Sequence, residues 1–522
     1  MAATLLDYLI IGAGPAGLQL AALLERDNRR DYLVLEGADA PGAFFTRFPR
    51  HRVLISINKP HTGSTDPELN LRLDWNSLLA GEDAPLFTSY TERYFPDADL
   101  YVRYLADFAE ATGARVRYGT RVTRVDRTGD HLEVTDAAGG TYRARCVIVA
   151  TGVSQPYVPD IPGIETAERY DTVSVNARDF LDQRVLIIGK GNSAFETADN
   201  LLETTAVIHV AGPSSVRMAW RTHYVGHLRA VNNNFLDTYQ LKSANAILDG
   251  DVREIRREAD GYRVTFSFSR ADEVVRELRY DRVIACTGFR FDPDIFAPGC
   301  RPELTIKDRF PAQTDEWESV NVPDVFFAGT LSQVRDFKKS TGGFIHGFRY
   351  SARALHKILE RRYHGAPWPA EKVDANPDAI TDAIIARINR TSALWQQFAV
   401  LADVVTVAGG AARYHDEVPV DYFARAGLST EDHAVTDAFV VTLEYGPDHD
   451  KVDPFDITVT RVAQDTVGQA HDAAYLHPVV RHHRDGQVVA VHHLAENLDN
   501  QWDKPDVHRA PLAAFVARCL SA

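Results

Sequence analysis

A chain of 522 residues exceeds what one hydrophobic core organises, so two to four domains are expected. With 45% hydrophobic and 25% charged residues, and 72 acidic against 57 basic side chains, it reads as an ordinary globular protein of net charge -15. That charge disfavours a general role on nucleic acid or anionic membrane.

The first apolar run starts almost at the initiator Met, with no basic and apolar leader ahead of it, and no run reaches transmembrane length. The cytoplasm is the expected compartment. The four cysteines, Cys146, Cys286, Cys300 and Cys519, contain no CxxC pair, which argues against a disulfide framework, a zinc ribbon and the usual redox dithiol.

In chain order, "YLIIGAGPAG" predicts a strand, a turn at Gly12, Gly14 and Gly17, and a helix entered through Pro15 and Ala16. "DYLVLE" then predicts a second strand ending in Glu36, placed to accept from a ribose hydroxyl. Further on, "YRARCVIVATG" is a buried-strand pattern ending at Thr151 and Gly152, and "QPYVPDIPG" is a proline-punctuated connection. "RVLIIGKGNSAFETADNL" repeats the cradle with Gly189, Gly191 and Ala194, followed by Asn192 and Ser193 at the helix start. Its second strand, "AVIHV", ends without an acid and runs into Ser214, Ser215, Arg217 and Arg221. That suits a 2′-phosphate and favours NADPH, unless these arginines simply face water. "YDRVIACTG" closes the second unit at Gly288, and "VPDVFFAGT" ends at Gly329 and Thr330.

Two cradles in one chain imply a tightly held flavin and an exchangeable nicotinamide. "GAGPAG" with Glu36, the paired "ATG" and "CTG" turns, "GKGNSAFE" and "VFFAGT" resemble the two-dinucleotide-binding-domain flavoproteins, among them flavin-containing monooxygenases and amine N-hydroxylases. More closely, "FFTRFPRHRVLISINK", "GNSAFETADN", "THYVGHLRA", "FLDTYQLKS" and "GGFIHGFRY" resemble the FAD-dependent oxidoreductase domain-containing, ER-flavoprotein-like family.

The resemblance implies an α/β fold of two Rossmann-like dinucleotide-binding domains, with an FAD domain (1–172 and 301–365), an inserted NAD(P)H domain (173–300) and a mixed C-terminal region (366–522). It implies that Gly12, Gly14, Pro15, Ala16, Gly17 and Glu36 hold the FAD adenosine diphosphate. Arg47, Thr151, Gly152, Gly329 and Thr330 would approach the rest of FAD, although Thr330 stands where an acid is usual. Gly189, Gly191, Asn192, Ser193, Ser214, Arg217 and Gly288 would hold NADPH. "SINK" is similar in position to flavin-side segments of related enzymes, so Asn58 and Lys59 are expected to donate near the flavin. The FxGxxxHxxxY-type pattern of flavin monooxygenases is missing from "IPGIETAERYDTVSVNA".

Arg47, Arg50, His51 and Arg52 form a basic run in an acidic protein, read either as recognition of a carboxylate or phosphate or as surface charge. Arg50, Arg52 and Lys59 are the candidate substrate contacts. In "HPVVRHHRDGQVVAVHHL" a turn at Asp485 and Gly486 predicts a hairpin pairing 483 with 488 and 482 with 489. His492 then falls opposite Val479 and His493 opposite Pro478, too dispersed for a tetrahedral metal site. "ITDAIIARINRTSALWQQFAVLADVV" is expected to be an amphipathic helical segment that covers the core or makes an oligomer contact.

The function expected is an NADPH-dependent monooxygenase whose FAD C4a-hydroperoxide oxygenates a small nucleophile, most plausibly an amine or amino acid nitrogen, with molecular oxygen as co-substrate. The alternatives are a reductase or oxidase acting on a thiol or protein partner, and a flavin-bearing scaffold.

Overall fold

The computed structural model describes residues 4–27, 30–81, 83–241, 244–272, 274–428, 435 and 437–521. The strands Leu5–Ile11, Tyr32–Leu35 and Val116–Arg117 run parallel in one sheet with the end of Thr141–Val149. Leu9, Ile10, Val147, Ile148 and Val149 are fully buried, as strands covered on both faces require. Val325–Phe327 returns from far down the chain to lie parallel to Val147–Val149. The antiparallel strands His131–Asp136 and Val122–Thr128 complete a seven-stranded sheet.

A second seven-stranded sheet repeats this plan. Arg184–Ile188 pairs in parallel with Val207–Gly212 and with Arg282–Ala285, and Val207–Gly212 with the start of Ala246–Glu258. Gly261–Phe268 and Val274–Tyr280 then fold back antiparallel. Glu168–Arg169 pairs with Ile284 and Ala285, so the second sheet starts ahead of the expected boundary at 173. Both sheets thus join parallel strands to an antiparallel pair, attached to Thr141–Val149 beside the first strand in one and to Ala246–Glu258 beyond Val207–Gly212 in the other.

The C-terminal region corrects the helical expectation. Helix Pro377–Arg390 stops at extended Thr391, and Leu401–Ala408 is a strand inside a six-stranded antiparallel sheet. Every residue of Leu401–Val405 is buried on either face, and Val404, Val405 and Val407 are β-branched, which suits a central strand better than a one-sided helix.

The hairpin at Asp485 and Gly486 forms with positive φ at both, 50° and 76°. A bulge between His482 and His483 shifts the register, so His482 faces Ala490, His492 faces Val480 and His493 faces Val479. Sequence spacing does not reveal that extra residue. The shift lets His477 Nε2 meet His493 Nδ1 at 3.0 Å, while His482 bonds Asp437 at 2.7 Å.

One hydrophobic core runs from Tyr8, Ile10 and Leu18 through Leu355 and Leu359 of the long helix Ile345–His364 to Val440, Trp502 and Phe515. The stretch around "HGAPWPAEKVDANPD" is thus not a spacer between independent bodies: Trp368 is buried in that core and Glu371–Asp374 is the edge strand of the six-stranded sheet. Arg353 and Lys357 of the long helix pair with Glu417, and Lys357 with Asp416 at 2.8 Å, across that shared core.

Candidate functional site

The two glycine turns are built alike. Gly12 has φ 106° and Gly189 φ 126°, and a Cβ there would lie 2.8 Å from the Ala150 carbonyl oxygen and 2.2 Å from that of Cys286. These carbonyls open the "ATG" and "CTG" segments, which explains why each cradle comes paired with such a turn. A Cβ on Gly17 would stand 2.0 Å from the Gly12 carbonyl, whereas Gly14 and Gly191 have nothing within 4 Å. The middle glycine of each motif thus faces open space at the start of a helix, where backbone N–H groups and the helix dipole favour an anion.

Gly329 closes the first cradle from the other end of the chain, since a Cβ on it would sit 3.0 Å from the Ala16 side chain. The Thr330 hydroxyl donates to the Gly343 carbonyl at 3.3 Å. Glu36 is buried, and its two oxygens accept from Ala13 N at 2.7 Å and Ala38 N at 2.9 Å. It therefore braces the glycine turn itself and keeps its remaining lone pairs for a hydroxyl donor. Asn192 donates to the carbonyls of Gly226 and His227 and accepts from Arg229 N, so its amide tethers the loop 226–229 and leaves only its backbone for a ligand.

The basic run has a different use from the one expected. Arg47 donates to the Asp171 carbonyl, Arg50 to the Val173 carbonyl at 2.7 Å, and Arg52 to the Phe45 carbonyl and to Asp99, both at 2.6 Å. Phe48 stacks on Tyr170, with centroids 5.8 Å apart. Together these contacts fasten the 43–52 loop to the second unit and to the helix Ala98–Thr112, with Arg50 and Arg52 acting as braces.

Asn58 and Lys59 part company. Asn58 is fully buried, its Nδ2 donates to the Thr91 carbonyl at 2.7 Å, and its Oδ1 has no partner among the described residues. The open atom is an acceptor, available to a ligand N–H or O–H. Lys59 is exposed.

Between the two units the structure brings together residues that spacing could not join. His346 is 1% exposed, stacks on Trp75 at 4.1 Å and leaves both ring nitrogens unpartnered among the described residues. The Arg229 guanidinium lies 5.0 Å from the Trp75 ring and has no acidic partner among the described residues, while burial lowers its pKa. Burial, reinforced by the charges of Arg349 and Arg229, holds His346 far below its ordinary pKa and therefore neutral. Phe344 stacks on His346 and meets Tyr224 edge-on.

Two buried carboxyls are raised towards neutrality, Asp336 beside Tyr224 of this cluster and Glu196 apart from it, beside Tyr170. Asp336 is pushed up to about 7 by burial and accepts from Gly342 N at 2.7 Å. Glu196, also pushed up to about 7 by burial, accepts from the Tyr170 hydroxyl. A missed signal was present in "THYVGHLRA" and "GGFIHGFRY", whose aromatic, histidine and arginine residues carried resemblance without an assigned role.

The family profile "Pyridine nucleotide-disulphide oxidoreductase" matches residues 9–329. A mouse "FAD-dependent oxidoreductase domain-containing protein 2" is 40% identical across 98% of this chain and 84% of its own length. The chain belongs to that family. Its fold is shared with a flavin-containing monooxygenase from Stenotrophomonas maltophilia, at 21% identity and a TM-score of 0.54 over 69% of this chain and 99% of that one. It is shared equally with a bacillithiol disulfide reductase from Bacillus cereus, at 21% identity and a TM-score of 0.52 over 69% and 100%.

Membership makes the chain an FAD-dependent oxidoreductase and implies FAD with NAD(P)H. The residues present fit both groups: each cradle offers a helix start beside a glycine with open space over it, and Asn58 and His346 hold unpartnered polar atoms in the interior between them. All four cysteines are buried, and burial raises every thiol, Cys286 to about 12.

Proposed function

We propose that this family member is an NADPH-dependent FAD monooxygenase that oxygenates a small nucleophilic substrate, at the nitrogen of an amine or amino acid. The observation that carries this reading over a thiol reductase is the state of the cysteines. A flavin-to-disulfide relay needs an accessible thiolate pair, whereas these thiols are buried, dispersed and held protonated.

FAD, when bound, takes hydride from NADPH and activates molecular oxygen for transfer of one atom. The chain's own groups do the rest. Trp75, Phe344, His346 and Tyr224 wall the cleft with apolar surface, which excludes water. Arg229, a partly buried cation without an acidic partner among the described residues, binds the substrate's carboxylate. Neutral His346 donates from one ring nitrogen or accepts at the other, and Asn58 Oδ1 accepts from a ligand N–H. Asp336, poised near neutrality beside Tyr224, is a group able to hold a proton in this region.

The test follows flavin absorbance in the FAD-loaded protein under anaerobic NADPH, then after air is admitted, with hydrogen peroxide assayed alongside. Reduction followed by a transient that outlives mixing, with little peroxide, supports the monooxygenase. Prompt reoxidation with stoichiometric peroxide, unchanged across a panel of amino acids and amines, favours an oxidase or a reductase. No reduction by NADPH or NADH leaves the scaffold reading.

A further inference from the structure

The strand Val207–Gly212 ends where a dinucleotide's adenosine ribose lies in this architecture, and Ser214 and Ser215 follow it. Opposite Gly212 in the adjoining strand stands Asp249. One Asp249 oxygen takes the ammonium of Lys190, the residue between Gly189 and Gly191. The other is 2.8 Å from Nε of Arg270, which comes from the turn joining Gly261–Phe268 to Val274–Tyr280. Arg270 also reaches the Ser215 hydroxyl at 3.3 Å.

The guanidinium side chain is 72% exposed, while Lys190 is 6% and Asp249 21%. Asp249 is therefore doubly paired, and the cluster carries one surplus positive charge on its exposed, five-donor member. Arg217, the cation singled out by sequence, is exposed and makes no bond to Ser215, Asp249 or Arg270 among the described residues.

We infer that Arg270, aligned by Asp249 and backed by Ser215, is the residue that recognises the 2′-phosphate of NADPH. The inference rests on the NADPH reading above and assigns its specificity to the antiparallel meander and not to the loop after the second strand. Asp249 acts through Arg270 as a positioning residue. Lys190 fixes Asp249 from the glycine turn, so that the cradle and the phosphate contact are mechanically joined.

The test is calorimetric binding of adenosine 2′,5′-bisphosphate and of 5′-AMP to the FAD-loaded protein, which reads affinity without turnover. The wild type is expected to prefer the bisphosphate. Arg270→Gln should weaken the bisphosphate about tenfold or more and leave 5′-AMP within about twofold, the loss expected of one charge-assisted contact. Arg217→Gln should change either ligand by less than about threefold, as an exposed charge outside the Asp249–Arg270 pair does. Asp249→Asn, by loosening the carboxylate that aligns Arg270, should weaken the bisphosphate by less than Arg270→Gln does and leave 5′-AMP alone.

If Arg270→Gln leaves the bisphosphate unchanged while the wild type still prefers it, this inference falls and NADPH use stands. If the wild type prefers 5′-AMP, or Asp249→Asn weakens 5′-AMP, Asp249 is a ribose acceptor and both readings fall. Binding of neither ligand overturns the second cradle as a dinucleotide site, and the inference with it.

Discussion

Within one motif, Gly189 and Gly191 answer different physical demands. A Cβ at Gly189 collides with the Cys286 carbonyl and demands φ 126°, whereas a Cβ at Gly191 meets nothing. Gly189→Ala should therefore lower the melting temperature, while Gly191→Val should fold normally and lose nicotinamide binding. Differential scanning fluorimetry with and without NADPH separates the two, and equal thermal loss in both would contradict the open-space reading. Asp336 supplies a pH signature. Its carboxyl is raised from 3.8 to about 7 by burial, so the folded state holds its proton more tightly than the unfolded one. Stability from this group is full below about pH 4 and is lost as pH rises to about 7, by up to ~4 kcal/mol. Asp336→Asn should match the wild type at pH 4 and exceed it at pH 8 in chemical denaturation. A variant less stable at pH 8 would contradict the buried-acid assignment.

At the scale of elements, the 43–52 loop shows why a charge run is a poor guide to a site. Arg47, Arg50 and Arg52 all find acceptors on neighbouring backbone or carboxylates, and the loop becomes a strap between units. Arg229, isolated in sequence from any other cation by several residues, is left partly buried without an acidic partner among the described residues, whereas the more deeply buried Arg72 and Arg349 are met by backbone carbonyls. Neighbours along the chain say little about which charges folding will pair. The long helix Ile345–His364 makes the same point through Glu417, whose side chain is 1% exposed between Arg353 and Lys357. Glu417→Ala should cost about 1–3 kcal/mol, because partly exposed Arg353 loses its carboxylate while Lys357 keeps Asp416, and a Glu417→Leu/Arg353→Met pair should recover much of the loss. Urea titration reads both, and a loss under about 1 kcal/mol for the single change would show the pair to be solvated.

For the molecule as a whole, the C-terminal sheet and the first dinucleotide unit share one core, with Tyr8 and Phe515 in the same cluster. A chain ending at Gly365 is expected to aggregate, because Leu355, Ile358 and Leu359 lose their cover. Soluble, FAD-binding 1–365 protein in size-exclusion chromatography would refute that. The C-terminal region also reaches the second unit, where His223 stacks on Tyr445 at 4.3 Å and Trp220 approaches Phe455. Legible in the sequence were the parts whose signals are local: the two glycine turns, their strands and helices, the hairpin at Asp485 and Gly486, and the family words that imply two cofactors. Their spacing is set by a few consecutive residues, and so it survives reading one residue after another. The tertiary structure alone decided that Val404 and Val405 lie in a central strand, that Asn58 offers an acceptor, and that His346, Trp75 and Arg229 meet. Burial and the pairing of charge depend on which distant segments arrive at the same place, and a side chain's neighbours in space are not its neighbours in the chain.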